Sequence, residues 1–159
     1  LTSRGLGDVY KRQTLCDVNP HKVYNLKNIL DTKIYNRASF VINENQRTYD
    51  AAKKLNESKF YDLGGLMYKS HLGLKDLYEV SCDELDFLVD LTKPFEKILG
   101  ARMMGGGFGG CTINLVEKSF KNEFIEKASK SYKDKFRIDL TPIEIKICNG
   151  VKIKNLQTD

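Results

Sequence analysis

The sequence has few of the features that mark membrane or secreted proteins. No apolar run in its 159 residues is long enough to cross a bilayer. Residues 1–13 lack the basic start, apolar stretch and small-residue cleavage site of a secretory signal. We therefore predict a cytoplasmic protein with no membrane partner.

Cysteine and histidine are too scarce and too dispersed for a metal site. The four cysteines form no C-x-x-C pair, and the two histidines lie far apart. These residues are Cys16, Cys82, Cys111 and Cys148, with His21 and His71. Zinc sites are built from closely spaced ligand pairs, so we predict free thiols and no metal ligands in this chain.

Positive charge is not gathered into one block. The net charge of +5 is spread along lysine-rich stretches such as residues 118–135, whereas nucleic-acid-binding proteins concentrate theirs in a patch. We predict no nucleic-acid partner. With 41% hydrophobic residues and only three prolines, the composition is typical of a single globular domain.

Apolar residues recur at helical spacing in the first part of the chain. We predict helices over 19–30, 34–55 and 60–74, and a fourth that starts at a Ser81–Glu84 capping box and ends or bends before Pro94. The inward stripe of the long helix contains Ile34, Ala38, Val41, Ile42, Asn45, Tyr49, Ala52 and Leu55. The paired glycines Gly64 and Gly65 predict close packing of the third helix against a neighbour.

The pattern then changes to that of strands. We predict strands over 98–104 and 111–116 around a glycine loop at 105–110, and then a helix over 120–132 capped by Ser119. Alternation of Ile143, Ile145 and Ile147 with charged residues predicts a half-buried strand, and a last short strand is predicted around 151–153. The predicted class is α+β, with several helices packed on a small antiparallel sheet. Residues 1–13 have no periodicity, so we expect them to be a lead-in outside the fold, and we assign 14–159 to one domain.

The glycine loop carries the chemical signal. Its residues are Gly105, Gly106, Gly107, Phe108, Gly109 and Gly110. Such a loop either cradles an anion with backbone N–H groups or lets two backbone segments pack in contact. It formally satisfies G-x-G-x-x-G, but a dinucleotide site needs a helix next, and the following residues 111–116 are strand-like. No Gly-Lys-Ser/Thr follows either, which excludes a Walker-type phosphate loop. A purely structural hairpin turn stays open as an alternative.

Three stretches resemble the galactokinases, a branch of the GHMP small-molecule kinases. Residues 100–112, GARMMGGGFGGCT, closely resemble the third motif of that family. Residues 70–86, SHLGLKDLYEVSCDELD, and residues 37–48, RASFVINENQRT, are similar to two further family stretches, and all three occur in the family order. Departures include Gly73, Lys75, Asp83 and Met104, but no glycine of the loop is replaced.

The resemblance implies a GHMP kinase C-terminal domain with a ferredoxin-like sheet. The parent enzyme would transfer the γ-phosphoryl group of Mg-ATP to galactose, giving galactose 1-phosphate. No counterpart of the family's N-terminal phosphate loop or sugar motif occurs here. We therefore expect no catalytic residue in this chain and no activity from it alone. Its N-terminal domain would be a partner, residues 105–110 would line the sugar and phosphate pocket, and Arg102 would make a minor contact.

Two alternatives to galactokinase remain at this point. One is another GHMP sugar kinase, such as an N-acetylgalactosamine kinase, and the other is a non-catalytic galactokinase-like sensor. Asp76 and Asp86 are the tempting general bases, but we interpret both as solvated helix carboxylates because the resemblance implies a base elsewhere.

Overall fold

Helices make up most of the chain that the computed structural model describes, which comprises residue 15 and residues 24–146. The helices are α1 (Thr32–Asn56), α2 (Phe60–Asp76), α3 (Asp83–Asp90) and α4 (Lys121–Phe136). Strands β1 (Ile98–Met104) and β2 (Cys111–Val116) lie between α3 and α4, and short 3-10 turns occur at Tyr24–Leu26 and Lys118–Phe120. The α+β class is confirmed, as are the bounds of both strands. No helix among these residues is long and apolar enough to cross a membrane.

The two strands form an antiparallel sheet against which α2 packs. Pairing runs from Ile98 opposite Val116 to Met104 opposite Cys111, with an irregular register between Ile98 and Gly100. Helix α2 lies along β1, and α1 packs on α2. Helix α3 contacts both strands and α4.

The closest approach of α2 to β1 is a backbone contact between two glycines. A Cβ atom on Gly64 would lie 1.7 Å from the carbonyl oxygen of Leu99, and one on Gly100 would lie 2.3 Å from the Cα of Gly64. The predicted close packing is thus confirmed for Gly64. It is wrong for Gly65, because a Cβ there would meet nothing within 4 Å.

Two apolar clusters hold these elements together. The first joins α1, α2, α3 and β1 through Phe40, Leu74, Leu85 and Met103. The second lies around the start of α4 and consists of Ile98, Phe120, Phe124 and Ala128. Each cluster includes a residue of β1, so the strand that leads into the glycine loop is anchored in both.

The long helix α1 is confirmed, but its predicted inward stripe is only partly buried. Phe40, which the stripe did not include, and Ile42 are the buried residues, whereas Ile34, Tyr49 and Leu55 are 58%, 74% and 49% exposed. Periodicity identifies residues that share a face and does not tell how much of that face a neighbour covers. Here α2 has 17 residues and α1 has 25, so α2 can cover only part of the length of α1.

Both predicted serine caps are wrong. Cys82 and Phe120 occupy the N-cap positions of α3 and α4, and neither makes a side-chain capping bond. Ser81 instead donates to Asp86 Oδ1 at 2.5 Å, so its hydroxyl is engaged by a carboxylate. As predicted, α3 stops ahead of Pro94, at Asp90.

The strand predicted at 143–147 does not form within the described residues. Residues 141–146 have no regular structure, and Ile143 and Ile145 are 78% and 66% exposed. An alternating pattern becomes a strand only beside another strand that accepts its hydrogen bonds, and the described sheet contains β1 and β2 alone. The helix predicted over 19–30 is a 3-10 turn and bends in its described part, 24–30. Ile147, residues 151–153 and residues 1–13 lie outside the described residues.

Gly64 and Gly65 offer a matched test of the helix–strand contact. We expect Gly64→Ala to destabilise the fold by about 3 kcal/mol, since the new methyl group would overlap the Leu99 carbonyl. Gly65→Ala should be neutral or stabilising by up to about 1 kcal/mol, because alanine favours a helix and the space is open. Urea unfolding of the two variants measures both effects. Equal stabilities would contradict the contact.

Candidate functional site

The glycine loop, residues 105–110, is a wide connection between β1 and β2. Gly107 has φ +88° and Gly109 has φ +130°, which are conformations that side chains with a Cβ rarely adopt. Phe108 itself has φ +59°, and this residue is 79% exposed. The backbone path therefore favours glycine at positions 107 and 109.

One side of the loop rests on the segment that joins α2 to α3. The amide of Phe108 donates to the carbonyl oxygen of Val80 at 2.8 Å. A Cβ on Gly107 would lie 2.1 Å from the same oxygen, so only glycine allows this approach. The middle of the loop is thereby attached to the domain.

The other side of the loop is open. A Cβ on Gly105, Gly106 or Gly109 would meet nothing within 4 Å. Among the described residues, the amide of Phe108 is the single loop amide that donates a backbone hydrogen bond outside the strand ladder. The open side thus consists of glycine backbone that a polar ligand or another protein segment can approach closely.

Arg102 lies on β1, three residues before the loop, and its guanidinium contacts Glu44 of α1. Its Nη1 lies 3.3 Å from Glu44 Oε1, and its Nε donates to the Met103 carbonyl at 2.9 Å. Glu44 also accepts from Arg47 and from the hydroxyl of Ser70. These contacts describe a structural anchor for the end of β1, and a ligand contact by Arg102 stays a prediction.

A second polar cluster lies beneath the loop and was not indicated by the sequence pattern. His71 is 5% exposed, and its Nδ1 accepts from the amide of Met103 at 3.3 Å. Its Nε2 lies 3.2 Å from Asp86 Oδ1. Asp86 also binds Lys75 at 2.8 Å and Ser81. The interpretation of Asp86 as a solvated carboxylate is therefore wrong, since its side chain is only 17% exposed.

This cluster could not be found by periodicity. Its members come from α2, from α3 and from the segment between them, and no spacing rule links positions on separate elements. The sequence feature that could have indicated the cluster is that all its members lie within residues 70–86, the stretch that resembles a kinase motif. Asp76, the other carboxylate considered as a base, is exposed at the end of α2.

Burial and hydrogen bonding set the charge states in this cluster. Burial lowers the pKa of His71, and this outweighs the opposite effect of Asp86 and Asp90. Burial alone would raise the pKa of Asp86, but hydrogen bonds from Lys75 and Ser81 outweigh it and lower that pKa. A neutral His71 whose Nδ1 accepts from Met103 must carry its proton on Nε2, which faces the Asp86 carboxylate.

Comparison with known proteins places this arrangement in context. The family described as GHMP kinases C terminal matches residues 51–134, which include α2, α3 and the glycine loop. A galactokinase of Thermotoga neapolitana is 47% identical over 116 residues, covering 73% of this chain and 33% of the relative. A galactokinase of Clostridium acetobutylicum is 38% identical over 128 residues, covering 80% of this chain and 33% of the relative.

A solved structure has the same fold. The crystal structure of Lactococcus lactis galactokinase complexed with galactose matches with a TM-score of 0.76 and 32% identity, over 80% of this chain and 33% of that one. The chain thus spans about a third of the length of the relatives it matches.

The neutral state of His71 predicts a pH dependence of stability. As the pH falls below about 6.5, unfolded His71 takes up a proton that the folded state, with its lowered pKa, does not bind. The unfolded state then binds more protons, so the stability present above that pH is lost, by at most about 1.4 kcal/mol per pH unit. Asp86, Asp90, Lys75 and Lys93 are the charged groups that act on this imidazole.

Urea unfolding between pH 7.5 and 5.5 measures this effect. We expect His71→Gln to remove the slope in that range, whereas His21→Gln, at the other histidine, should keep it. An unchanged slope in His71→Gln would show that other groups are responsible.

Proposed function

Because this chain belongs to the GHMP kinase family, we propose that it is the C-terminal domain of an ATP-dependent galactokinase. The complete enzyme would transfer the γ-phosphoryl group of Mg-ATP to galactose and release galactose 1-phosphate and ADP. The observation that carries the proposal is the glycine loop with one open backbone face, within a segment 47% identical to a curated galactokinase. The galactose complex of the similar Lactococcus lactis protein supports the choice of sugar.

The open face of the loop would form one wall of the sugar and phosphate pocket. The positions without a neighbour, Gly105, Gly106 and Gly109, allow a ligand to reach the main chain without meeting a side chain. Phosphoryl transfer depends mainly on alignment and on stabilisation of charge, and rigid backbone groups suit both tasks. The opposite wall would come from the N-terminal domain of the enzyme.

The proposal assigns no proton transfer and no metal binding to this chain. The mostly buried carboxylate of Asp86 is already bound by His71, Lys75 and Ser81 and is poorly placed to act as a base. Within the described residues, no three His, Cys, Asp or Glu side chains are grouped so as to hold a metal ion. These residues therefore do not fit a magnesium site, and the metal of Mg-ATP would be held by other parts of the complete enzyme. A cytoplasmic location, with Cys82 and Cys111 as free thiols, belongs to the same proposal.

A domain exchange tests the activity. The segment of Thermotoga neapolitana galactokinase that aligns with this chain would be replaced by the corresponding residues of this chain. We expect the exchanged enzyme to release ADP from Mg-ATP only when galactose is present, and the isolated chain to release none. Turnover by the isolated chain, or a folded exchanged enzyme without activity, would contradict the proposal. The unmodified Thermotoga enzyme is the positive control.

The open loop face can be tested by adding one methyl group. Gly106→Ala in the exchanged enzyme places a Cβ in empty space, so the melting temperature should be unchanged. We expect kcat/KM for galactose to fall about tenfold or more, since small misplacements in a reacting pocket are costly. Gly65→Ala, which also adds a methyl group in open space but on α2, should leave kcat/KM unchanged. Equal activities of the two variants would show that the open face does not line the substrate pocket.

A further inference from the structure

Two hydrogen bonds attach the glycine loop and its entrance to α2 and to the segment that joins α2 to α3. At the entrance, the amide of Met103 donates to His71 Nδ1 at 3.3 Å. In the middle, the amide of Phe108 donates to the Val80 carbonyl at 2.8 Å. The residues between these two anchors include Gly105, Gly106 and part of the open face.

The two anchors belong to one connected network. From the first, His71 Nε2 contacts Asp86 Oδ1 at 3.2 Å, and the same oxygen accepts from Ser81 Oγ at 2.5 Å. Ser81 directly follows Val80, the residue that holds the second anchor. The network therefore closes a ring from the entrance of the loop, through α2 and α3, back to its middle.

The network is buried and its charge is compensated. The side chains of His71 and Asp86 are 7% and 17% exposed. Lys75 binds the second oxygen of Asp86 at 2.8 Å, so the carboxylate has partners on both oxygens. A buried and satisfied polar network of this kind restricts its members to one arrangement.

The first anchor also serves the outer edge of β1. Met103 is paired with Thr112 of β2, yet its amide donates to His71 and its carbonyl accepts from Arg102 Nε. Helix α2 lies beside β1 and cannot offer the backbone hydrogen bonds that a neighbouring strand would. The side chains of His71 and Arg102 therefore satisfy the amide and the carbonyl of Met103, at the position where the strand becomes the loop. The imidazole thus fixes the last buried residue before the glycines.

We propose that His71, oriented by Asp86, is a positioning residue that aligns the open face of the glycine loop with the sugar and phosphate pocket. This inference rests on the proposed function of the loop. His71 acts through Met103 and is not assigned any contact with substrate.

Two conservative variants cut the network at different links. An asparagine oxygen can occupy the place of Nδ1 and accept from Met103, whereas a glutamine amide nitrogen can occupy the place of Nε2 and reach Asp86. His71→Asn therefore keeps the anchor of the loop, and His71→Gln keeps only the contact with Asp86. A purely structural role in the core would make the two variants equivalent.

The test compares both variants in the exchanged enzyme described above. We expect His71→Asn to keep kcat/KM for galactose within about threefold of the parent, and His71→Gln to lose about tenfold or more. Equal losses in the two variants, or a larger loss in His71→Asn, would overturn the inference.

Hydrogen exchange on the isolated chain gives a readout that does not depend on activity. We expect the amide of Met103, which donates to His71 Nδ1, to exchange at least tenfold faster in His71→Gln than in His71→Asn, with amides of α4 unchanged as the internal control. If the enzyme with the exchanged domain is inactive, the proposed function fails. The amide hydrogen-exchange rates of the isolated chain still decide the role of His71. If neither histidine variant folds, Ser81→Ala replaces them, and an unchanged exchange rate of the Phe108 amide would then overturn the inference.

Discussion

The backbone contact between Gly64 of α2 and Gly100 of β1 is the constraint on which the arrangement depends. It brings a helix and a strand closer than any side chain would allow. Because α2 also carries Ser70 and His71, this contact determines how close their side chains come to the end of β1. A bulkier residue at either glycine would separate the helix from the strand and thereby from the loop.

The end of β1 is held by two polar networks from two directions. Glu44 of α1 binds Arg102, Arg47 and Ser70, and Asp86 of α3 binds His71, Lys75 and Ser81. Each carboxylate is mostly buried and is paired with a cation, which avoids the cost of an uncompensated charge. Such networks add little net stability compared with apolar packing, but they fix the orientation of the groups that they bind. A loop made mostly of glycine has few side chains that could fix its own orientation.

Glycine has two opposite uses within the same loop. At Gly107 it permits contact with the Val80 carbonyl, where a Cβ would clash, and at Gly106 it leaves space that no other group fills. The first use attaches the loop and the second exposes it. A loop that is fixed on one side and bare on the other suits a pocket wall whose geometry must not change when ligand binds.

Much of the local structure was determined by the sequence, because local structure follows from local interactions. Helical spacing predicted α1, α2 and α4, and the change to alternating apolar residues predicted β1 and β2 with their bounds. The six residues of the candidate loop were recognised from composition alone. Tertiary structure decided the rest. It left Ile143 and Ile145 without a neighbouring strand, engaged Ser81 with Asp86 in place of a helix cap, and placed His71 under Met103. These outcomes depend on which surfaces meet, and a single sequence records the pattern of each surface but not its partner.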